Sequence, residues 1–355
     1  MVQRFFCSSI QSRMVVFTSR FGTPIAKQYV ITIGMLPAKP QVSLSPEIRM
    51  GWQSNHKHYW GILVCVIVLF VNLYVSPLYS QPIVSATPLP QGITQGELDT
   101  LPRTTISNLL KPYKYPLKKI RVKGRTEFAY VDVGDPKNKE VLIFIHGLNG
   151  YIPIWDKTIE DLSKDYRCIA IDLPGYGRSE KGELPINIIF YADLLVRFLD
   201  GINVREAYLV GHSMGGQVAV NLALRYANRF KKLMLISPTG IEPFTQNERQ
   251  AFYDNVNKNV TKEKSDDILR ADFVRLFYKM PSEAEFMLRD RIVMRRATDY
   301  DDYCHAVARS IVGMVELPTW DMLEGLSQPT LLIFGKNDKL IPNQFFHVMQ
   351  KPQDI

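Results

Sequence analysis

From about residue 115 onward, short apolar runs alternate with stretches of helical periodicity. The runs Val141–Ile145, Cys168–Ile171, Ala207–Val210, Leu233–Ile236 and Thr330–Phe334 carry no polar face, as strands buried on both sides of a parallel sheet do. Between them, residues 154–166, 187–202 and 214–228 place their apolar positions at helical spacing. Ahead of this block, Lys118–Lys123 and Glu127–Val133 alternate on either side of Gly124, which predicts a hairpin. The fold class is α/β: a doubly wound, mostly parallel sheet with helices on both faces. Catalytic groups in such sheets gather at the carboxyl ends of the strands.

One connection breaks the alternation. Thr239–Pro329 contains no strand-like run, while Ile268, Leu269, Phe273, Leu276 and Phe277 recur at helical spacing within it. A helical cap over about 241–325 is the expectation, inserted at strand ends where it can roof a site. Its aromatic and Met residues, Phe244, Phe252, Tyr253, Phe277, Tyr278, Phe286, Met287, Trp320 and Met322 among them, suit an apolar acyl or ring group. Packing of the cap onto the body explains many of the same residues. The insertion holds 12 bases and 16 acids. An anionic substrate therefore finds no obvious clamp, although Arg291, Arg295 and Arg296 cluster.

The front of the chain has a different pattern. Tyr59–Tyr79 contains no charge, is flanked by Tyr and Trp, and follows Arg49 and Lys57 with no further base until Arg103. With its aromatic flanks it measures about 31 Å as a helix, close to a bilayer core of about 30 Å. An uncleaved signal anchor is one reading, with the basic residues 1–58 in the cytoplasm and the rest on the non-cytoplasmic side. A signal peptide starting at Met50 and cleaved after Ser80 or Ala86, which would export the protein, is another. The Ser- and base-rich residues 1–49 also fit a transit peptide or a misassigned start. Residues 80–115, with several prolines, read as a linker, leaving 116–355 as the folded α/β body.

Composition narrows the function classes. The 355 residues are 46% hydrophobic and 22% charged, which fits a packed globular chain. The net charge of +8 is concentrated at the front: residues 1–58 hold seven bases against one acid, leaving 36 against 34 elsewhere. A nucleic-acid partner is excluded on that ground, since the body lacks a basic excess. Cys7, Cys65, Cys168 and Cys304 share no metal-binding or redox spacing. Neither metal nor organic cofactor is expected.

The chemistry lies at strand ends. Gly211-His-Ser213-Met-Gly215-Gly216 follows the run ending at Val210 and opens a helical stretch, the context a G-x-S-x-G elbow requires. A serine at so sharp a turn needs small residues two before and two after it, and the helix behind it points amides at a developing oxyanion. His146-Gly147-Leu148 closes another strand. A tight turn there would let the Leu148 N–H join that of Met214 in an oxyanion hole, with His146 supporting the loop. Asp172 opens the turn-rich loop to Ser179, where a structural role is expected. Asp338, in Gly335–Pro342 after the last run, is either an acid that fixes an imidazole tautomer or a helix-capping aspartate.

With these motifs in this order, residues 118–355 resemble the α/β-hydrolase superfamily, in the branch with a helical cap. The resemblance implies Ser213 as nucleophile, Asp338 as acid, and the backbone N–H groups of Leu148 and Met214 as oxyanion donors. Serine rather than aspartate at 213 excludes the epoxide hydrolases and haloalkane dehalogenases. The remaining members are similar to esterases, monoacylglycerol lipases and hydrolases of carbon–carbon bonds in ring-cleavage products. The family places its histidine about 25–30 residues beyond the acid, past one more helix and strand. Here the chain ends at Ile355, so a catalytic histidine and last strand beyond the terminus are expected, with Thr330–Phe334 left as an exposed edge. His347 and His305 are weaker substitutes. The function expected is cleavage of a carboxylic ester, lipid-like and apolar. The alternatives are carbon–carbon bond hydrolysis of a dienoate and a non-catalytic binding module on the same scaffold.

Overall fold

The computed structural model describes residues 92–122, 126–335, 337–338 and 340–341, with Pro90 and the backbone of 28–33. The Tyr59–Tyr79 segment and His347 lie outside the described residues. Eight strands form one sheet: β1 (Gln28–Ile33), β2 (Lys118–Arg121), β3 (Glu127–Val133), β4 (Val141–Ile145), β5 (Arg167–Asp172), β6 (Ala207–His212), β7 (Phe230–Ile236) and β8 (Thr330–Gly335). Their order is β1-β8-β7-β6-β4-β5-β3-β2. β2 and β3 pair antiparallel, as does β3 with β5, and all other neighbours are parallel.

Every residue of β4 is buried, the consequence of helices covering both faces. One face takes α3 (Asp156–Leu162). The other takes α4 (Ile188–Gly201), begun by the Asn187 side chain accepting from Phe190 N–H, and α5 (Met214–Arg225). Residues Met214–Ala223 of α5 are all buried, because the helix lies between the sheet and the cap. The cap follows β7 and comprises α6 (Gln246–Asn255), α7 (Lys258–Lys262), α8 (Asp266–Val274), α9 (Glu285–Met294) and α10 (Tyr300–Glu316). Buried polar contacts fasten α10 to the body. Tyr176 Oη donates to Ser310 Oγ at 2.8 Å, and Gln217 Nε2 donates to the carbonyls of Met314 and Leu317 at 2.9 and 2.6 Å.

Two expectations are corrected. The edge of β8 is not open: β1 runs parallel to it, in register from Gln28 opposite Thr330 to Ile33 opposite Gly335. The stretch Gln28-Tyr-Val-Ile-Thr-Ile33 is rich in β-branched residues, which suit a pleated strand, and an apolar parallel edge exposes unpaired backbone groups that a strand satisfies.

The second correction concerns the linker. Its described part from Gly92 onward is a strap packed on the cap, not a free tether. Ile93, Leu98 and Leu109 pack in one apolar cluster with Phe273, Leu288, Ile292 and Val293 of the cap. Within it, α1 (Gln95–Asp99) starts with a reciprocal capping box between Thr94 and Glu97, and α2 (Ile106–Leu109) follows. The Thr298 N–H donates to the Thr104 carbonyl at 2.9 Å, and the Ile106 N–H to Asp299 Oδ1 at 2.7 Å. Beyond α2 the strap reaches the body. There, Arg178 Nη2 donates to the Leu110 and Lys111 carbonyls at 2.6 and 3.1 Å.

Ile106 has no exposed surface and belongs to the main core. Ile106→Ala is expected to cost about 2–4 kcal/mol in a urea denaturation series. A free tether would give a change near zero.

Candidate active site

The site is organised by a backbone that glycines allow to crowd. Ser213 sits between β6 and α5 at φ 52°, ψ −120°, a left-handed conformation that a residue with a Cβ adopts only under constraint. Its N–H donates to the Ile236 carbonyl at 2.9 Å, and its own carbonyl accepts from Gly216, Gln217 and Thr239. A Cβ on Gly211 would stand 2.5 Å from the Gly215 carbonyl oxygen, and one on Gly215 would stand 2.6 Å from that of His146. Both distances are shorter than real Cβ contacts, so these two positions admit only glycine. Ser213 remains partly exposed, and its side chain makes no capping hydrogen bond to the helix behind it.

The loop after β4 comes directly against the elbow. A Cβ on Gly147 would lie 2.9 Å from Ser213 Cβ and 3.0 Å from His212 Nδ1. The next residue, Leu148, makes no backbone N–H hydrogen bond among the described residues. Met214 opens α5, so its N–H has no acceptor within the helix. The structure thus brings Ser213, Leu148 and Met214 together with two amides uncommitted. Tyr303 Oη on the cap donates to Asn149 Oδ1 at 2.8 Å, tying the roof to this loop.

His146 holds the loop rather than acting on substrate. The Leu173 N–H donates to His146 Nε2 at 3.0 Å, which leaves Nδ1–H to donate to the Gly147 carbonyl at 2.8 Å. The ring is fully buried, and burial pushes its pKa down to about 4. A neutral imidazole with both nitrogens engaged has no proton to take or give.

Asp172 is likewise structural. Its carboxylate accepts from Tyr113 Oη and from the N–H groups of Ile152 and Arg178, each at 2.7 Å. Burial pushes its pKa upward against those donors. Gly177 gives it room, since a Cβ there would collide with the carboxylate. The Tyr113 contact, from the end of the strap, carries no sequence signal: one tyrosine in a proline-rich stretch.

Asp338 follows β8 and is partly buried. Its Oδ1 accepts from the N–H groups of Leu340 and Ile341 at 2.9 and 3.2 Å, the capping geometry. It is also near enough to the elbow that its charge favours protonated His212, whose pKa burial nevertheless lowers. The hydrogen bonds of Asp338 are those of the capping reading. His305 on α10 places Nε2 3.3 Å from the Leu184 carbonyl. Among the described residues no histidine hydrogen-bonds the Ser213 side chain, and no cluster of His, Cys, Asp and Glu could hold a metal ion. No described helix is long and apolar enough to cross a membrane.

Comparison with known proteins agrees with this geometry. A family model described as alpha/beta hydrolase fold matches residues 140–345, more than half of the chain. The dihydrolipoyllysine-residue acetyltransferase component of an acetoin cleaving system from Pseudomonas putida is 29% identical over 57% of this chain and 52% of its own. Monoacylglycerol lipase abhd6-A of Xenopus laevis is 25% identical over 61% of this chain and 67% of its own. The chain spans about half the length of the first curated relatives it matches. A crystal structure of a probable hydrolytic enzyme from Pseudomonas aeruginosa PAO1 superposes with a TM-score of 0.59. It is 24% identical over 67% of this chain and 79% of that one, a likeness of fold alone.

The burial of His146 has a measurable consequence. Its ordinary pKa is 6.5 and its folded one about 4, so the unfolded chain binds a proton first on acidification. The contribution is intact above pH 6.5 and is lost as pH falls through this window, by about 3 kcal/mol at pH 4. Urea denaturation between pH 7 and pH 4 should show that slope in the wild type and a shallower one in His146→Gln.

Proposed function

Because the chain belongs to the alpha/beta hydrolase family, we propose that it is a serine hydrolase that cleaves a carboxylic ester of lipid-like character. The observation that supports this reading is the strained, partly exposed Ser213, with the Leu148 and Met214 amides beside it in the chain and loop packing making no hydrogen bond among the described residues. In the proposed reaction Ser213 Oγ attacks the ester carbonyl and its proton passes to an imidazole. That imidazole lies outside the described residues, and Asp338 orients it and stabilises its charged form. Negative charge gathers on the former carbonyl oxygen, where the N–H groups of Leu148 and Met214 receive it. Each such donor is worth about 10²–10³ in rate. The imidazolium returns its proton to the departing alkoxide, and water then releases the acyl group from Ser213. The monoacylglycerol lipase among the relatives supports a lipid ester, as do the aromatic rings of Tyr151, Phe286, Tyr300 and Tyr303 around the loop.

The segment Tyr59–Tyr79 is proposed to attach the protein to a membrane. A full crossing by that segment and the pairing of β1 with β8 exclude each other in one molecule. Residues 28–33 and 330–335 share a sheet, so both ends of the segment would lie on the same side of the bilayer. With the strand seated, the segment can enter the bilayer only from one face.

Three measurements test these readings. A fluorophosphonate probe should label the protein and fail on Ser213→Ala; absence of labelling in the wild type would favour a non-catalytic binding module. Comparing a p-nitrophenyl ester with a ring-cleavage dienoate separates the chemistries, ester turnover being expected. In microsomes, a tag at the N-terminus should share the protease protection of the body. Digestion of the tag alone would indicate a crossing, with β1 displaced.

A further inference from the structure

The cap carries four arginines in and just after α9, and three of them are neutralised. Arg289 Nη1 lies 2.7 Å from Asp290 Oδ1, Arg295 Nη1 lies 3.0 Å from Asp266 Oδ1, and Arg296 Nη2 lies 3.9 Å from Asp99 Oδ1. Arg291 is the exception. Among the described residues no carboxylate lies within ion-pair distance of it, and its Nε is sealed from solvent without a hydrogen-bond partner. Its guanidinium rests over the face of Phe273, 4.8 Å from the ring centroid, a contact that supplies far less than a counter-charge. Burial lowers its pKa, as it must when a cation leaves water without an acid to meet it.

Its helix, α9, is tied to the loop that carries Leu148. Tyr303, Tyr151, Tyr300 and Asp272 are the titratable side chains in its neighbourhood. Asp272 is committed elsewhere, to Lys264 at 2.8 Å and Arg275 at 3.8 Å. Tyr303 is the residue whose hydroxyl donates to Asn149, next to the Leu148 amide. Tyr151 ends the same loop and donates to Asp290, the neighbour of Arg291, at 2.9 Å. A cavity of about 290 Å³ lined by Asp266, Ile292, Arg295 and Arg296 also touches α9, but both of its arginines are already paired.

We infer that Arg291 is a specificity residue that receives an anionic oxygen group of the substrate, carboxylate or phosphate, while the ester carbonyl lies at Ser213. This deepens the reading of the preceding subsection and rests on it. A planar fork of donors matches such a group in two parallel hydrogen bonds. Arg291 is partly buried and its sealed Nε lacks an acceptor. A charge withdrawn from water without a partner is destabilising, so an anionic substrate would recover part of that cost. The acids in excess over the cap do not oppose this, because those nearest Arg291 are taken up by other bases.

The test separates binding from turnover. In the full chain carrying Ser213→Ala, succinate and inorganic phosphate are titrated in thermal melts, with chloride at matched ionic strength as control. A rise in Tm with one or both anions and not with chloride is expected, and succinate or phosphate acting alone identifies the group. Arg291→Met in the same background should lose the rise while melting no lower than its parent. With Ser213 intact, p-nitrophenyl monoadipate is compared with p-nitrophenyl hexanoate. Arg291→Met should raise KM for the anionic ester 10–100-fold with kcat little changed, and move the neutral ester less than threefold. Equal losses on both esters, or a Tm response shared by chloride, would overturn the inference. Failure of fluorophosphonate labelling with the anion response intact would overturn the hydrolase reading alone.

Discussion

The structure depends on how closely backbone can approach backbone at Ser213. A non-glycine residue held in the left-handed region costs about 1–3 kcal/mol and persists only where its surroundings leave no alternative. Here the Ser213 N–H is taken by Ile236 at the end of β7, and its carbonyl by amides from α5 and from Thr239 at the root of the cap. Gly147, Gly211 and Gly215 let the β4 loop and the first turn of α5 close around it. Sheet, helix, cap root and loop therefore meet at one strained residue. Relaxing that residue would require all four to move.

Around that point the titratable groups divide by what their partners leave free. His146 and Asp172 are fully buried ionisable side chains of the loops beneath the cap, and both have pKa values displaced by burial. Shifted titration in a cleft often marks catalysis. Here the hydrogen bonds decide otherwise: both ring nitrogens of His146 and both oxygens of Asp172 are occupied by groups of the protein itself. Their shifts measure how firmly the loops are set. Asp338 differs: among the described residues only its Oδ1 accepts hydrogen bonds, from Leu340 and Ile341, and in the proposed reaction its other oxygen would receive the imidazole.

The central strands, the hairpin, the cap and the elbow were legible because each is a local pattern. Five apolar residues in a row identify β4, and glycines two either side of a serine identify the turn. The strap was not legible for a related reason. Its helices are five and four residues long, too short for periodicity to register, and proline-rich composition points toward a tether. What orders it is distant: Ile106 bonds Asp299, 193 positions away. β1 is similar, a six-residue strand in an uninformative stretch, selected by the open edge of β8. The arginines show the same limit. Their clustering is visible in sequence, but which are neutralised depends on acids such as Asp99 and Asp266 that folding brings to them.

The strap changes what the cap is. A lid attached only through its two chain ends can swing about them, whereas this one is gripped on both sides. α10 is fastened to the body through Ser310, Met314 and Leu317, and α9 is overlaid by Ile93, Leu98 and Leu109. The strap then continues to Tyr113, whose hydroxyl meets the carboxylate of Asp172 at the base of the loops. Opening the cap as a rigid flap would break an apolar cluster and a buried hydrogen-bond network together, at a cost of several kcal/mol by the usual value of each buried side chain. Rotation of the cap as a unit is therefore costly compared with small movements of side chains in the tyrosine layer. The residue at the centre of that layer is Tyr303, which packs against Tyr176 and Tyr300 and donates to Asn149. The proposed specificity residue and the loop beside Ser213 are therefore linked through one residue of the cap interface.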